Sequence, residues 1–388
     1  MCTKVVSHIP NCRAFSAGSL VMQHAMEPSL QALVDTVQAA RAAGQQLQIT
    51  GAGSKVGVRA AIDTQSAVAT QQLSALHHRG IVSYEPSELV LTARAGTALL
   101  EVTQALAAAG QQLPFEPPSF GAAATVGGMV ACGFAGPARP WRGAVRDAVL
   151  GVQMINGLGD CLRFGGQVMK NVAGYDLARL QVGAFGRLGL LTEVSMKVLP
   201  VPIVESTQVL ELDRASALTC VVALQRGPEP VTATLHHERH LHVRFSGAVA
   251  AVQAAALRLG GETLPATAAQ ALWTSLREQR TNFFAGAREL WRFSVPHAAR
   301  YPDLPGDWCT EWAGALRWWQ PPDGASVRGP QVLAAARECA GFASPWTMPI
   351  RQSLQTSSAV VREQLQRRLQ QAFDPEGIFV DSLLPGGM

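Results

Sequence analysis

From Pro117 to Ala138 the chain carries no charge, and the run PPSFGAAATVGGMVACGFAGPA is dense in glycine and proline. Nothing else in the sequence limits the fold as tightly. Its length and apolarity would permit a membrane-spanning helix. Its prolines and scattered glycines would leave backbone N–H groups unpaired in lipid, so that reading fails. In water the same residues make main chain that can lie flat along a large anionic ligand. Without Cβ atoms the backbone approaches closely, and successive N–H groups can face phosphate oxygens. The run continues as RPWRGAVRDAVLG to Gly151.

A second glycine-rich turn lies upstream. Pro28 opens a predicted helix whose apolar positions Leu30, Leu33, Val34 and Val37 follow i, i+3, i+4, i+7, and Gly44 ends it. Gln46 to Thr50 reads as a short strand leading into Gly51-Ala52-Gly53-Ser54-Lys55-Val56-Gly57. The turn is neither a Walker A loop nor a clean G-x-G-x-x-G, and the residues after Gly57 lack helical periodicity. By itself it is either an ordinary tight loop or a further place of close approach to a ligand. Lys55 would give such a place a positive charge suited to pyrophosphate.

The third element is Lys170-Asn171-Val172-Ala173-Gly174-Tyr175-Asp176-Leu177-Ala178-Arg179-Leu180, followed by Gly183-Ala184-Phe185-Gly186-Arg187-Leu188-Gly189. The second half is a glycine turn entering a strand, Leu190 to Leu199, closed by Pro200 and Pro202. In isolation Tyr175 reads as a buried hydroxyl and Asp176 as a helix cap. Three separated glycine turns suit a ligand much longer than a phosphate ion, and an extended dinucleotide is the natural candidate.

With these three elements on the page, the chain resembles the FAD-binding domain of the vanillyl-alcohol oxidase/PCMH flavoprotein superfamily. Within it, KNVAGYDLARLQVGAFGRLGLLTEVSMKVLP is similar to the GlcE subunit family of bacterial glycolate oxidase (glycolate dehydrogenase). The likeness runs from Met26 to about Pro202. It continues more loosely through Leu290–Pro296 and Glu311–Trp318.

The resemblance implies roles residue by residue. Gly51, Gly53, Ser54 and Lys55 match the first pyrophosphate loop. Thr125, Gly127, Gly128 and Gly133 match the second loop along the pyrophosphate and flavin, with Pro117 at its entrance. Asn171, Gly174, Tyr175 and Asp176, with Gly186, match the third segment near the cofactor. The implied cofactor is FAD, held non-covalently, since the first glycine loop offers no histidine. The implied partners are a glycolate dehydrogenase flavoprotein subunit and an iron–sulfur subunit, and the substrate is a small 2-hydroxy acid.

Composition fits a soluble enzyme. At 388 residues the chain can bury two sizeable cores, and 15% charged against 48% apolar residues argues against disorder. The formal charge of +4 comes without any basic run longer than two residues, so nucleic acid binding is not supported. Seven cysteines lie scattered without C-x-x-C spacing, which fits a reducing compartment and excludes an iron–sulfur cluster built by this chain alone. The expected location is the cytoplasm, free or at the inner face of the membrane through the complex.

Four histidines crowd into His236-His237-Glu238-Arg239-His240-Leu241-His242, which reads as an exposed polar hairpin rather than a metal site. No Glu-His-Gly occurs, although catalytic relatives carry one near the C-terminus, and no histidine follows His297. Arg292 and Arg317 would each suit a substrate carboxylate or brace tryptophan-rich strands. The catalytic residues therefore stay unassigned. Family members commonly end Asn-Pro-Gly-Arg/Lys, whereas Ile378-Phe379 is followed here by Val380-Asp381-Ser382.

The expected architecture is α+β. Residues 1–25 form an N-terminal extension or follow a misassigned start. Residues 26–202 form a two-subdomain PCMH-type FAD-binding domain. Residues 203–355 form an α/β cap domain with an antiparallel sheet, including helices near Ala248–Leu259 and Ala268–Arg280 and strands near Leu241–Phe245 and Leu290–Val295. Residues 356–388 carry a final helix and tail that pack back on the FAD domain. Three functional readings follow. The chain is an FAD-containing subunit of a glycolate dehydrogenase complex, a self-sufficient 2-hydroxy-acid dehydrogenase, or a structural subunit that has lost FAD.

Overall fold

A computed structural model of the chain describes residues 26–55, 70–166, 176–286, 289–325, 328–346 and 357–380. The amphipathic spacing after Pro28 yields the helix Pro28–Ala42, with Leu30, Leu33, Val34 and Val37 buried. Gly44 at φ 61° ends it, and the strand Gln46–Thr50 pairs in parallel with Thr70–Ser74. Residues 378–380 close on the other edge of that strand. Leu47 N–H donates to Ile378 O at 2.8 Å, and Val380 N–H donates to Leu47 O at 3.0 Å.

A five-stranded antiparallel sheet follows, in the order Ile81–Glu85, Val90–Arg94, Leu190–Lys197, Val149–Ile155, Cys161–Gly165. Its middle strand is buried on both faces, with only Glu193 and Lys197 partly exposed, and its polar Thr192 and Ser195 lie buried among the apolar residues. The short helix Val126–Cys132 packs on this sheet. Thr125 caps its start by accepting from Gly128 N–H, and Gly133 at φ 64° ends it in the left-handed region.

The second half forms an eight-stranded sheet, antiparallel throughout. Its order is Glu262–Leu264, Val204–Glu211, His240–Gly247, Val231–His237, Asp307–Glu311, Leu316–Gln320, Trp291–Ser294, Phe342–Pro345. One face, with Leu235, Cys309 and Trp318, packs against Phe134 and Ala135 of the glycine-rich run. The opposite face carries Val243, Phe245, Phe293 and Trp319 and is covered by helices including Arg214–Arg226, Val249–Leu259 and Gly329–Glu338. Helices and antiparallel sheets are thus segregated, an α+β fold.

The histidine-rich hairpin corrects one expectation. It forms, with Glu238 and Arg239 in the turn at φ 47° and 65° and its tip Glu238–His240 exposed as expected, but the strands on either side lie inside the sheet and bury His236 and Leu241. His236 is buried, and its Nε2–H donates to Leu212 O at 2.9 Å. Burial, reinforced by His240, pushes the His242 imidazole down to about 4. No three His, Cys, Asp or Glu side chains converge as a metal site among the described residues.

Candidate site between the glycine segments and the cap sheet

The three glycine segments meet. A Cβ on Gly51 would lie 2.8 Å from Thr125 Oγ1, so the first loop touches the cap of the Val126–Cys132 helix. A Cβ on Gly133 would lie 3.2 Å from Gly183 N, and Gly186 packs against Ile49 of the first strand. Gly183 N–H donates to Val130 O at 3.1 Å, and Phe185 N–H to Ala131 O at 2.9 Å. Gly53 adopts φ 70°, which keeps the first loop tight.

Lys55 enters from that loop with Ser54 Oγ at 3.4 Å from its Nζ. Burial pushes its ammonium below the ordinary lysine value, while the fields of Cys132 and Glu278 oppose the shift. A desolvated cation beside three close-packed backbone segments is chemistry for an anionic, elongated ligand.

The other expected residues divide. Gly127 serves packing: its N–H donates to Ala95 O at 2.8 Å, and a Cβ there would lie 2.8 Å from Ala95 Cβ. Gly128 N–H points to Thr125 Oγ1 at 3.2 Å. Asp176 caps the turn Leu177–Leu180 by accepting from Arg179 N–H at 3.1 Å. Pro117 stands between Glu116, at φ 45°, and the Ser119–Phe120 backbone. Asn171, Gly174, Tyr175, the 1–25 extension and the tail after Val380 lie outside the described residues.

Sequence reasoning missed the charged residues that fasten this region to the cap. Glu116 accepts from Ala138 N–H at 3.1 Å, so the two ends of the uncharged run are tied, and it pairs with Arg244 Nη2 at 2.7 Å. Glu278, at the end of the helix Ala266–Arg277, accepts from Phe120 N–H at 2.8 Å and Ser119 N–H at 3.2 Å. A cavity of about 690 Å³ opens beside these contacts, lined by Glu116, Thr207, Arg244, Gln270, Trp273 and Arg277. That size is ample for a small-molecule site. The available signal was Arg244 itself, a charge amid the apolar alternation of its strand.

The two candidate clamp arginines fall on opposite faces. Arg292 pairs with Trp318 and Phe293 with Arg317 in the same register. Arg317 is fully buried and donates to Gly314 O at 2.9 Å and Arg300 O at 3.0 Å, with its guanidinium on Tyr301. It braces the outer face and holds no ligand. Arg292 lies on the inner face, 5.4 Å from the Trp312 ring and 6.0 Å from Trp318. Nearby, burial pushes the Glu311 carboxyl up to about 7, against the Trp318 N–H and the Arg292 charge.

The profile of the FAD binding domain family matches residues 28–165. Glycolate oxidase subunit GlcE of Escherichia coli K12 is 43% identical over 349 residues, 90% of this chain and 95% of that protein. Glycolate oxidase subunit GlcD of Bacillus subtilis is 34% identical over 131 residues, 34% of this chain and 28% of that protein. Among solved structures, alkyldihydroxyacetonephosphate synthase aligns with a TM-score of 0.61 over 90% of this chain and 73% of its own, at 13% identity. At that identity the likeness concerns the fold alone.

Proposed function

The chain belongs to the family of the glycolate oxidase subunit GlcE, and on that premise we propose that it is an FAD-holding subunit of a complex oxidising a small 2-hydroxy acid. Glycolate or D-lactate would be converted to the 2-oxo acid, with electrons leaving through a partner flavoprotein subunit and an iron–sulfur subunit. The observation that carries this reading is the meeting of the glycine segments, Gly51 against Thr125, Gly133 against Gly183 and Gly186 against Ile49, with the half-buried Lys55 in the first of them. Main chain brought together by the lack of Cβ atoms at Gly51 and Gly133, with a half-buried cation in the same loop, fits an elongated pyrophosphate-containing group.

Gly51, Gly53, Ser54 and Lys55 would hold one side of the FAD. Pro117, Thr125, Gly127, Gly128 and Gly133 would line the second. Asn171, Gly174, Tyr175, Asp176 and Gly186 would meet the third, with Gly127 and Asp176 acting through the backbone they position. Bound FAD supplies the two-electron acceptor that no side chain provides. The chain's own work is to fix that group, exclude water from it, and present the cap sheet to whatever approaches.

Seven scattered cysteines without a C-x-x-C pair support a reducing, cytoplasmic setting. Among the described residues no helix is long and apolar enough to cross a membrane, so contact with the inner face of the membrane would come through the complex. The test is anaerobic mixing of the FAD-loaded chain with glycolate, alone and with its co-purifying partners. The reading expects flavin bleaching only with the partners present. Bleaching of the isolated chain would instead favour a self-sufficient dehydrogenase.

A further inference from the structure

We propose that the cavity of about 690 Å³ between the helix Ala266–Arg277 and the edge of the cap sheet is a further ligand site, and that it takes a small organic carboxylate. None of the residues assigned above to FAD lines it. The inference rests on the cavity's own donors and charges and is independent of the FAD reading.

The polar floor comes from two paired strands. Thr207 lies opposite Arg244 and Glu205 opposite Ser246, so the four side chains share one face. Further along, that face carries Ala233 and Leu235. Thr207 and Arg244 are thus buried polar groups on an otherwise apolar face, a placement that calls for a reason. Trp273 fixes the helix above them, its Nε1–H donating to Thr207 Oγ1 at 2.9 Å.

The groups left unspent at this floor are donors. Arg244 donates from Nε to Thr232 Oγ1 at 3.1 Å and from Nη2 to Glu116 Oε1 at 2.7 Å. Among the described residues its Nη1 meets no acceptor. Arg277 donates from Nε to Glu278 Oε1 at 3.0 Å, and its two terminal nitrogens likewise meet none. Thr207 accepts from the indole and keeps its own O–H to give. Both Glu116 oxygens are engaged, by Arg244 and by Ala138 N–H.

Charge points the same way. Arg142, Arg244 and Arg277 stand against the inner carboxylates Glu116 and Glu278, three cations to two anions. Glu205 is a third anion, but its side chain is 45% exposed and lies 3.8 Å from Arg142 Nη2. Arg142 Nη1 is buried without a hydrogen-bond partner among the described residues. Burial pushes the Arg142 guanidinium below its ordinary value, and the Arg244 charge pushes the same way. One carboxylate on Arg244 and Arg277 offsets the excess cation where the dielectric is reduced, and guanidinium donors suit its paired oxygens. Leu264, Pro265, Ala266 and Ala269 supply an apolar wall, which gives the ligand's carbon chain a surface to cover.

Calorimetric titration of acetate, hexanoate and hexanol into the full-length chain, as purified, tests the site. Hexanoate should bind about once per chain and about tenfold more tightly than acetate, as half-burial of its extra methylenes gives. Hexanol, with the same chain and no charge, should give no saturable heat. Arg277→Met should weaken hexanoate about tenfold. Ala266→Trp adds an indole at an exposed position of the wall, leaves every charged group in place, and should abolish hexanoate binding. Hexanoate without saturation, hexanol binding as tightly as hexanoate, or a folded variant with wild-type affinity overturns the proposal. If one variant fails to fold, the wild-type series and the other variant decide.

Discussion

Phe120 in the uncharged run and Glu278 at the end of a cap helix are joined directly, Phe120 N–H donating to Glu278 Oε2 at 2.8 Å. Ser119 N–H donates to both oxygens of the same carboxylate at 3.2 Å. Arg277 Nε also reaches Glu278 Oε1 at 3.0 Å. The cap is therefore latched onto the backbone turn that opens the glycine-rich segment, and the Glu278 side of the latch is buried.

Truncating this latch leaves half-buried N–H groups without their acceptor, at up to about 1–3 kcal/mol for each group that water does not reach. Glu278→Ala is expected to lower the denaturant midpoint and speed FAD release, and Glu278→Gln, which keeps one acceptor oxygen, to do less of both. Urea titration followed by flavin fluorescence measures the pair. Unchanged midpoints in both variants would mean the contact contributes nothing.

Gly51 tests the convergence of the loops. A Cβ there would lie 2.8 Å from Thr125 Oγ1, so Gly51→Ala must push the first loop away from the helix cap. The expected outcome is weaker FAD retention with circular dichroism preserved. Adding Thr125→Ala removes the atom that collides, so the double variant should retain more FAD than the two single losses predict. Additive losses would show that Gly51 and Thr125 act separately.

Glu311 sets a pH dependence of stability. Its folded value is raised from 4.5 to about 7, so its contribution is fully present below about 4.5 and is lost as pH rises through about 7. The difference amounts to about 3 kcal/mol across that window. His242 works in the opposite sense: its folded value is depressed from 6.5 to about 4, so stability present above about 6.5 is lost as pH falls toward about 4. Thermal melts should show Glu311→Gln flattening the decline on the neutral side only. A parallel decline in wild type and variant would remove Glu311 as its cause.

Much of this was readable in the sequence, for definite reasons. The Pro28 helix shows because one apolar stripe recurs with helical period, and the glycine turns show because close packing leaves only one residue type to choose. The cap strands Leu241–Phe245 and Leu290–Val295 were anticipated and appear as His240–Gly247 and Trp291–Ser294. Asp307–Glu311 and Leu316–Gln320 were not, since strands buried on both faces lose the polar–apolar alternation. Arg292 and Arg317 look alike in sequence, each beside tryptophan, and only the register Arg292↔Trp318 sends them to opposite faces. Glu116, Glu278 and Arg244 went unseen because their partners lie more than a hundred residues away.

The most direct measurement of the central claim is FAD stoichiometry. Folded full-length chain, saturated with FAD and passed through gel filtration, should retain about one FAD per chain with flavin absorption, as a preformed ligand site demands. Gly51→Ala should retain much less. A folded chain that emerges colourless after saturation would contradict the account.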